Sequence, residues 1–456
     1  MWSIHIQSKI EKMGIPTVSV ITTPFTQISQ AAAELNGIPN LRKAVIPHPV
    51  ADLTEEELQN NISKVYDSLV ASLTSPLTSK ELERGTKRVP KRERFVFEGS
   101  LQEVQNKFIE LGLTDGLPII PPTEDLVKKM LEQTNLPPNK IIGKMPPENF
   151  EVTIEKVAIN GVMAGCTPEY MPVLLALAEA LMDPVLDMEG GARSTNSFGF
   201  WGFANGPIAK KIGLNAEGNA LGPGNRANAT LGRVIRLFIN NLGGSKVGIN
   251  DMSSVGSPLK YGLFFAENES DSPWEPYHVE KGFNREESTV TLYKSLGFRT
   301  SGRTGIGGID LNNLVGVTKN IECMFGYSPN RGMVILLDPL LAKQFSDQGL
   351  TKRDIKEYIW QSLHRTVQEW KASYSYTVDL RAGIFPQWYD NLSPDVKIPM
   401  FKSPENIDIV VVGGKRNLVF QVYEGGSPVP GVTKSIDKWK VTTKNRHHFF
   451  LKHCQA

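Results

Sequence analysis

The sequence of 456 residues predicts an α/β protein, a small doubly wound module lacking its first strand plus a larger α/β domain. Three observations predict this class. Helix-period runs alternate with short β-branched runs over the first 75 residues. Capping-box pairs, Thr54 with Glu57 and Ser100 with Glu103, mark helix starts in both parts of the chain. The length also exceeds what one ordinary hydrophobic core serves, so two domains are expected.

Taken in order, Trp2, Ile6, Ile10 and Met13 recur at helical spacing over residues 1–13, and Gly14 supplies the stop. Residues 17–21 form a β-branched run of the kind that makes a buried strand. Pro24 punctuates the next turn. Phe25, Ile28, Ala32 and Leu35 then give a second helical face, and residues 44–46 a second strand. Behind Thr54, the residues Leu58, Ile62, Val65, Leu69 and Leu73 line a third helix. The order α-β-α-β-α is that of a doubly wound sheet whose opening strand is absent, because a parallel βαβ unit begins with β. Residues 76–97, with Pro76, Pro90 and the run KRVPKRER, read as a solvated linker. The large domain is expected over residues 98–437 and a basic tail over 438–456.

Composition narrows the function classes. A formal charge of +2 gives no electrostatic case for nucleic acid or an anionic membrane. No apolar run approaches the roughly 20 residues that a membrane span needs. Cys166, Cys323 and Cys454 lie far apart, so neither a disulfide framework nor a metal cluster is expected. A reducing, cytoplasmic setting follows as the default.

The stretches GIPTVSVITTPF and GIPNLRKAVIPHPVADLTEEEL resemble the UGSC family of selenoproteins and their cysteine-containing relatives. They are similar, more remotely, to the selenoprotein component B of glycine reductase. Farther on, DGLPIIPPT, INGVMAGCTPEYMPV, LGPGNRANATLGR, FFAENESDSPWEPYHVE and VVVGGKRNLVF extend the resemblance over most of the chain. In that family a first strand ends in a Cys/Sec-Gly-Ser-Cys motif just before the helix that here begins at Trp2. The resemblance therefore implies a thiol or selenol nucleophile upstream of Met1. Either the true start lies upstream, or this member has lost the motif; the unpaired helix favours the first.

Four stretches carry candidate chemistry. In AGCTPEYMPVLLALAEAL, Thr167 is a natural N-cap and Pro168 takes the first helical position. Cys166 then sits at a helix N-terminus, where the macrodipole favours a thiolate; a small buried thiol is the structural alternative. In LGPGNRANATLGR, a glycine-rich loop enters a helix, and Asn225, Arg226 and Asn228 can hold a phosphate or carboxylate. A tight turn explains the glycines equally well. In YGLFFAENESDSPWEPYHVE, acidic residues crowd Trp274 and His278; Glu267 or His278 can serve as general acid or base beside apolar neighbours that shift a pKa. The spacing fits no metal-ligand pattern. The glycine-rich runs GRTGIGGID and VVVGGKRN are equally well explained as turns.

The expected function is a thiol-dependent enzyme of UGSC type acting on a small carboxylate-bearing molecule, with no bound cofactor. By similarity to component B, a thiolate or selenolate would cleave a carbon–heteroatom bond while an acid assists the leaving group. Cys166, Glu267 and His278 are the catalytic candidates; Asn225, Arg226, Asn228 and Trp274 are the binding candidates. The alternatives are a cofactor-free lyase or hydrolase that uses the acidic loop, and a non-catalytic ligand-binding subunit. The partners expected are a small-molecule substrate and either a second copy of the chain or a thiol-bearing protein, with no nucleic acid and no membrane.

Overall fold

The computed structural model describes residues 2–48, 50, 53–85, 97–301, 309–319, 332–372, 391–424 and 430–441. Cys323, Cys454, most of GRTGIGGID, the basic run of the expected linker and the tail beyond residue 441 lie outside them.

The N-terminal residues fold in the predicted order. Helix Trp2–Lys12 leads into strand β1 (Ser19–Thr22), helix Thr26–Leu35 and strand β2 (Lys43–Ile46), and the two strands pair in parallel. Ile4, Ile21, Ala32, Ala33 and Leu41 form the module's own small core. Thr54 and Glu57 make the predicted capping box, but the helix behind them breaks into Glu55–Ser63 and Tyr66–Thr74. The expected linker contains a further helix, Ser79–Gly85. Arg42 ties it down by a two-pronged pair with Glu81 at 3.0 Å and by donating to the carbonyls of Ser72 and Ser75.

The remaining strands are β3 (Ile141–Met145), β4 (Phe150–Thr153), β5 (Gly199–Asn205), β6 (Leu263–Ala266), β7 (Thr289–Ser295), β8 (Gly297–Thr300), β9 (Met333–Leu337), β10 (His364–Thr366), β11 (Lys397–Pro399), β12 (Ile407–Val411), β13 (Phe420–Glu424) and β14 (Val432–Ser435). Two pairs, β3–β4 and β10–β11, stand apart, while the rest form two four-stranded sheets, β14-β7-β5-β6 and β12-β9-β13-β8. Within these, β5 with β6 and β9 with β12 run parallel.

Side-chain alternation stacks these sheets between helices. On β5, Phe200 and Ala204 join a core with helices Ile154–Ala164, Met171–Leu181 and Arg226–Leu237. Trp201 and Phe203 point the other way, into a second core shared with Val334, Leu336, Val410, Val412 and Tyr423 of the opposite sheet. On β9 and β12, Met333, Ile335, Leu337, Ile407 and Ile409 turn outward to meet helices Pro339–Asp347 and Lys352–Ser362. The result is a helix–sheet–sheet–helix stack with an aromatic middle layer, confirming the α/β class. Trp201 is its centre, with ring centroids 5.0 Å from Tyr293 and 4.2 Å from Tyr423.

One helix expectation is corrected in detail. Residues 168–170 form a 3-10 turn, the α-helix starts only at Met171, and the buried Thr167 hydroxyl caps nothing. Helix Lys352–Ser362 ends just before His364–Thr366, which pairs as β10 with β11.

Trp201→Ala should destabilise the protein by about 3–5 kcal/mol, the usual cost of emptying a large aromatic site. Urea unfolding followed by circular dichroism measures this; a loss under about 1 kcal/mol would mean that the middle layer does not hold the sheets together.

Candidate functional site

The parallel register of β5 and β6 places Ala204 beside Ala266, so the next residues, Asn205 and Glu267, emerge side by side at the carboxyl ends of both strands. Ligands of open α/β sheets bind at such ends. Asn205 Nδ2 donates to Glu267 Oε2 at 2.6 Å and to Glu269 Oε1 at 2.9 Å. Two acceptors facing one nitrogen fix the orientation of that amide. The backbone N–H of Gly206 also donates to Glu269 Oε1, at 2.7 Å. Gly206 has φ +81° and no room for a Cβ, which would meet the Glu287 carbonyl at 2.1 Å.

The second sheet closes the site. Asn268 N–H donates to the Val411 carbonyl at 2.8 Å, and its side chain donates to the Gly413 carbonyl at 3.0 Å, so the ends of β6 and β12 are stitched together. A cleft of about 480 Å³ opens there, with Glu267 and Asn268 on its buried floor, Glu269 half-buried, and Lys210, Glu217, Arg285 and Glu286 on its exposed rim.

Glu267 is the floor's central group, 3 % exposed. Its Oε2 accepts from Asn205 and, at 2.7 Å, from the backbone N–H of Tyr277. Its Oε1 has no hydrogen-bond partner, and the nearest charge is Lys352 Nζ at 3.7 Å. Burial raises the carboxyl above the ordinary 4.5, outweighing the lowering by Lys352 and by the two N–H donors. With Oε2 occupied by donors, the proton of the neutral form belongs on Oε1.

His278 stands behind this floor, fully buried. Its Nε2 lies 3.3 Å from the Arg285 carbonyl, which only accepts, so Nε2 carries the hydrogen. Nδ1 is left without a hydrogen bond, 3.9 Å from Glu269 Oε1. Asn205 links Glu267 to Glu269, and Glu269 lies beside His278.

The other candidates are placed differently. Burial pushes the Cys166 thiol up to about 12, outweighing the Thr230 hydrogen bond and the charges of Arg226 and Arg233. Desolvation thus opposes the thiolate expected from the helix-start field. The side chains of the expected anion loop hold backbone groups. Asn225 caps its helix by accepting from the Asn228 N–H at 3.0 Å, and its Nδ2 donates to the Gly213 carbonyl. Arg226 donates to the Gly165 carbonyl at 3.0 and 3.2 Å. Asn228 clasps both backbone groups of Asn215 at 2.9 Å, so it shapes a cleft-lining residue without facing the cleft. Trp274 donates its indole N–H to the Leu350 carbonyl and packs on the second sheet's outer core.

Asn205, Lys352 and Asp408 are functional candidates that the sequence reading passes over. Asn205 ends the apolar run GFWGFA. Lys352 falls one turn before Ile355 on the inward face of its helix, an address where an unpaired lysine is costly. Asp408 interrupts the apolar strand IDIVV, fully buried, and accepts from the hydroxyls of Tyr277 at 2.8 Å and Tyr293 at 2.9 Å and from Lys281 at 3.0 Å.

Residues 2–75 match the UGSC family. The cleft residues lie outside that match. No curated protein and no solved structure matches the chain. No helix among the described residues is long and apolar enough to cross a membrane.

Two measurements follow from these environments. Cys166 should resist alkylation in the native protein at pH 8 and react once unfolded, since a thiol near 12 keeps roughly one part in ten thousand as thiolate there. Peptide mapping by mass spectrometry reads this at Cys166 itself; rapid native labelling would contradict the buried thiol. For Glu267, the folded state holds its proton to higher pH than the unfolded chain does, so stability falls as pH rises. The melting temperature of wild type relative to Glu267→Gln should therefore be highest below about pH 4.5 and decline as pH climbs through the raised value. A difference that is flat with pH would place Glu267 at its ordinary value.

Proposed function

We propose that this protein is an enzyme that moves protons on a small polar molecule bound in the cleft, as a lyase or hydrolase, with Glu267 as the proton donor. One observation carries the reading. Glu267 is a buried carboxyl on the floor of an open cleft, with one oxygen fixed by two N–H donors and the other unpartnered. Burial favours the protonated form of a carboxyl so held, and that form can protonate a leaving group. Glu269 stands beside it on the cleft wall, and His278 backs Glu269 with Nδ1 3.9 Å from Oε1. Lys210 and Arg285 on the rim suit a carboxylate at the ligand's outer end.

A thiol route through Cys166 is less well supported, because its sulfur is buried and its thiolate disfavoured. The match of residues 2–75 to the UGSC family supports a common origin for that module. It leaves the reaction to be argued from the cleft.

Incubating the protein with a mixture of small carboxylic acids, amines and amides in deuterated water, and following it by proton NMR, tests the proposal. Wild type should transform at least one compound, and Glu267→Gln should lower that rate by about 10²–10⁴-fold, the range for losing a positioned acid. Equal rates in both proteins would remove Glu267 from the chemistry. Cys166→Ser should leave the rate within about twofold, and a loss as large as that of Glu267→Gln would restore the thiol reading.

A further inference from the structure

A cation backs the floor of the cleft. Glu267 Oε1 accepts no hydrogen bond, and Lys352 Nζ lies 3.7 Å from it. Lys352 comes from behind, 5 % exposed and outside the cleft lining. Its place is costly. It opens helix Lys352–Ser362 directly after the Thr351 cap, where the helix dipole disfavours a positive charge, and burial adds to that. The helix start is nevertheless fixed to the loop that follows Glu267, because the Trp274 indole donates to the Leu350 carbonyl at 3.1 Å. Lys352 Nζ donates to the Glu275 carbonyl at 3.0 Å and to Glu280 Oε1. An ammonium has three N–H donors, so one is left over beside a buried acceptor that has no partner.

We infer that Lys352 is a positioning residue for Glu267, closing its remaining N–H onto Oε1 when the carboxyl gives up its proton and standing off while the proton is there. This rests on Glu267 being the proton donor proposed above, and it names how that donor is regulated. A protonated Oε1 is uncharged and a weak acceptor, so little draws the ammonium in. An ionised Oε1 attracts it, and a charge-assisted N–H···O bond spans about 2.7–2.9 Å. The flexible lysine stem covers the difference, roughly 1 Å, without moving the backbone. Only one proton changes place. It passes from Glu267 to the leaving group, and Lys352 keeps all three of its own.

The surrounding charges set the balance. Burial and Glu269 oppose ionisation of Glu267, while Lys352 favours it. Glu280 and Lys356 flank Lys352 on its far side, and Lys356 also faces Asp408 and Lys281. His278 meets Glu269 at 3.9 Å, and Lys210, Glu217, Arg285 and Glu286 stand on the open rim. A general acid works best near the operating pH, and Lys352 limits the rise that burial imposes.

NMR titration of the full chain, labelled with ¹³C at glutamate Cδ and ¹⁵N at lysine Nζ, tests this. The Glu267 carboxyl is assigned by its loss in Glu267→Gln and the Lys352 ammonium by its loss in Lys352→Arg. In wild type both signals should move with one midpoint, and in Glu267→Gln the movement of Lys352 should vanish. Lys352→Met should raise the Glu267 midpoint by about 1–3 pH units, the range for removing an opposite charge at this separation. Lys352→Arg should keep the midpoint nearer to wild type than Lys352→Met does. Lys343→Met, on an exposed helix surface, should leave it in place. Under turnover, the pH–rate profile of Lys352→Met should be displaced by as much as the midpoint, whereas a merely structural lysine would lower the rate equally at every pH.

A wild-type Lys352 signal indifferent to the Glu267 midpoint would overturn the inference, even if Lys352→Met does not fold. So would an unmoved Glu267 midpoint in Lys352→Met. The two readings fail separately. A raised midpoint with full turnover by Glu267→Gln would keep the pair and remove the catalytic role. An unmoved midpoint with turnover lost in Glu267→Gln would do the reverse.

Discussion

The middle layer between the two sheets sets the rest of the structure. Trp201, Phe203 and Phe265 of one sheet and Val334, Leu336, Val410 and Tyr423 of the other are buried against each other. Interdigitation at that density leaves few degrees of freedom in how the sheets sit. The carboxyl ends of β5 and β6 are thereby brought to the carboxyl end of β12, where Asn268 stitches them. Without that alignment Glu267 would be an exposed loop carboxylate rather than the floor of a cleft.

The same packing determines how charge is handled in the interior. Acidic and basic side chains alternate from Glu267 through Lys352 and Glu280 to Lys356: Lys352 lies 3.7 Å from Glu267 and pairs closely with Glu280, which lies 3.6 Å from Lys356. Asp408 shares the interior with Lys281 and two tyrosine hydroxyls. Buried charges persist only when paired and hydrogen-bonded, as Lys352 and Asp408 are. Burial lowers the Lys356 ammonium even so, and pushes the Tyr277 and Tyr293 hydroxyls well above 10. Glu267 differs from its neighbours in having an oxygen left over, which separates a group available for chemistry from a network that only supports it.

The N-terminal module touches the large domain through a polar joint. His5, buried in the first helix, holds Asn36 by Nδ1 at 2.9 Å and lies 3.1 Å from Glu189 by Nε2. Glu189 in turn lies 3.5 Å from Arg193, whose guanidinium pairs with the buried Glu148 at 2.8 Å. Burial and the Arg193 charge lower the His5 imidazole, opposed by Asn36 and Glu189. The module is thus anchored by fixed charges of the domain at a joint separate from the residues that line the cleft.

By itself the sequence determined local matters: the alternation of helices and strands in the module, the capping boxes at Thr54 and Ser100, and the crowding of Glu267, Glu269 and His278 in one acidic run. Those follow from period, cap chemistry and short sequence separation, which need no partner from afar. Only the tertiary structure decided which groups are free to act. Cys166, Asn225, Arg226 and Asn228 have suitable side chains, but burial silences the thiol and backbone carbonyls and N–H groups engage the others. Asn205 and Lys352 reach Glu267 from 62 and 85 residues away along the chain, the second by the difference 352 − 267, so no local pattern could announce them. A pKa and an unfilled hydrogen bond are properties of surroundings assembled by long-range packing, and the sequence encodes those surroundings only through the fold.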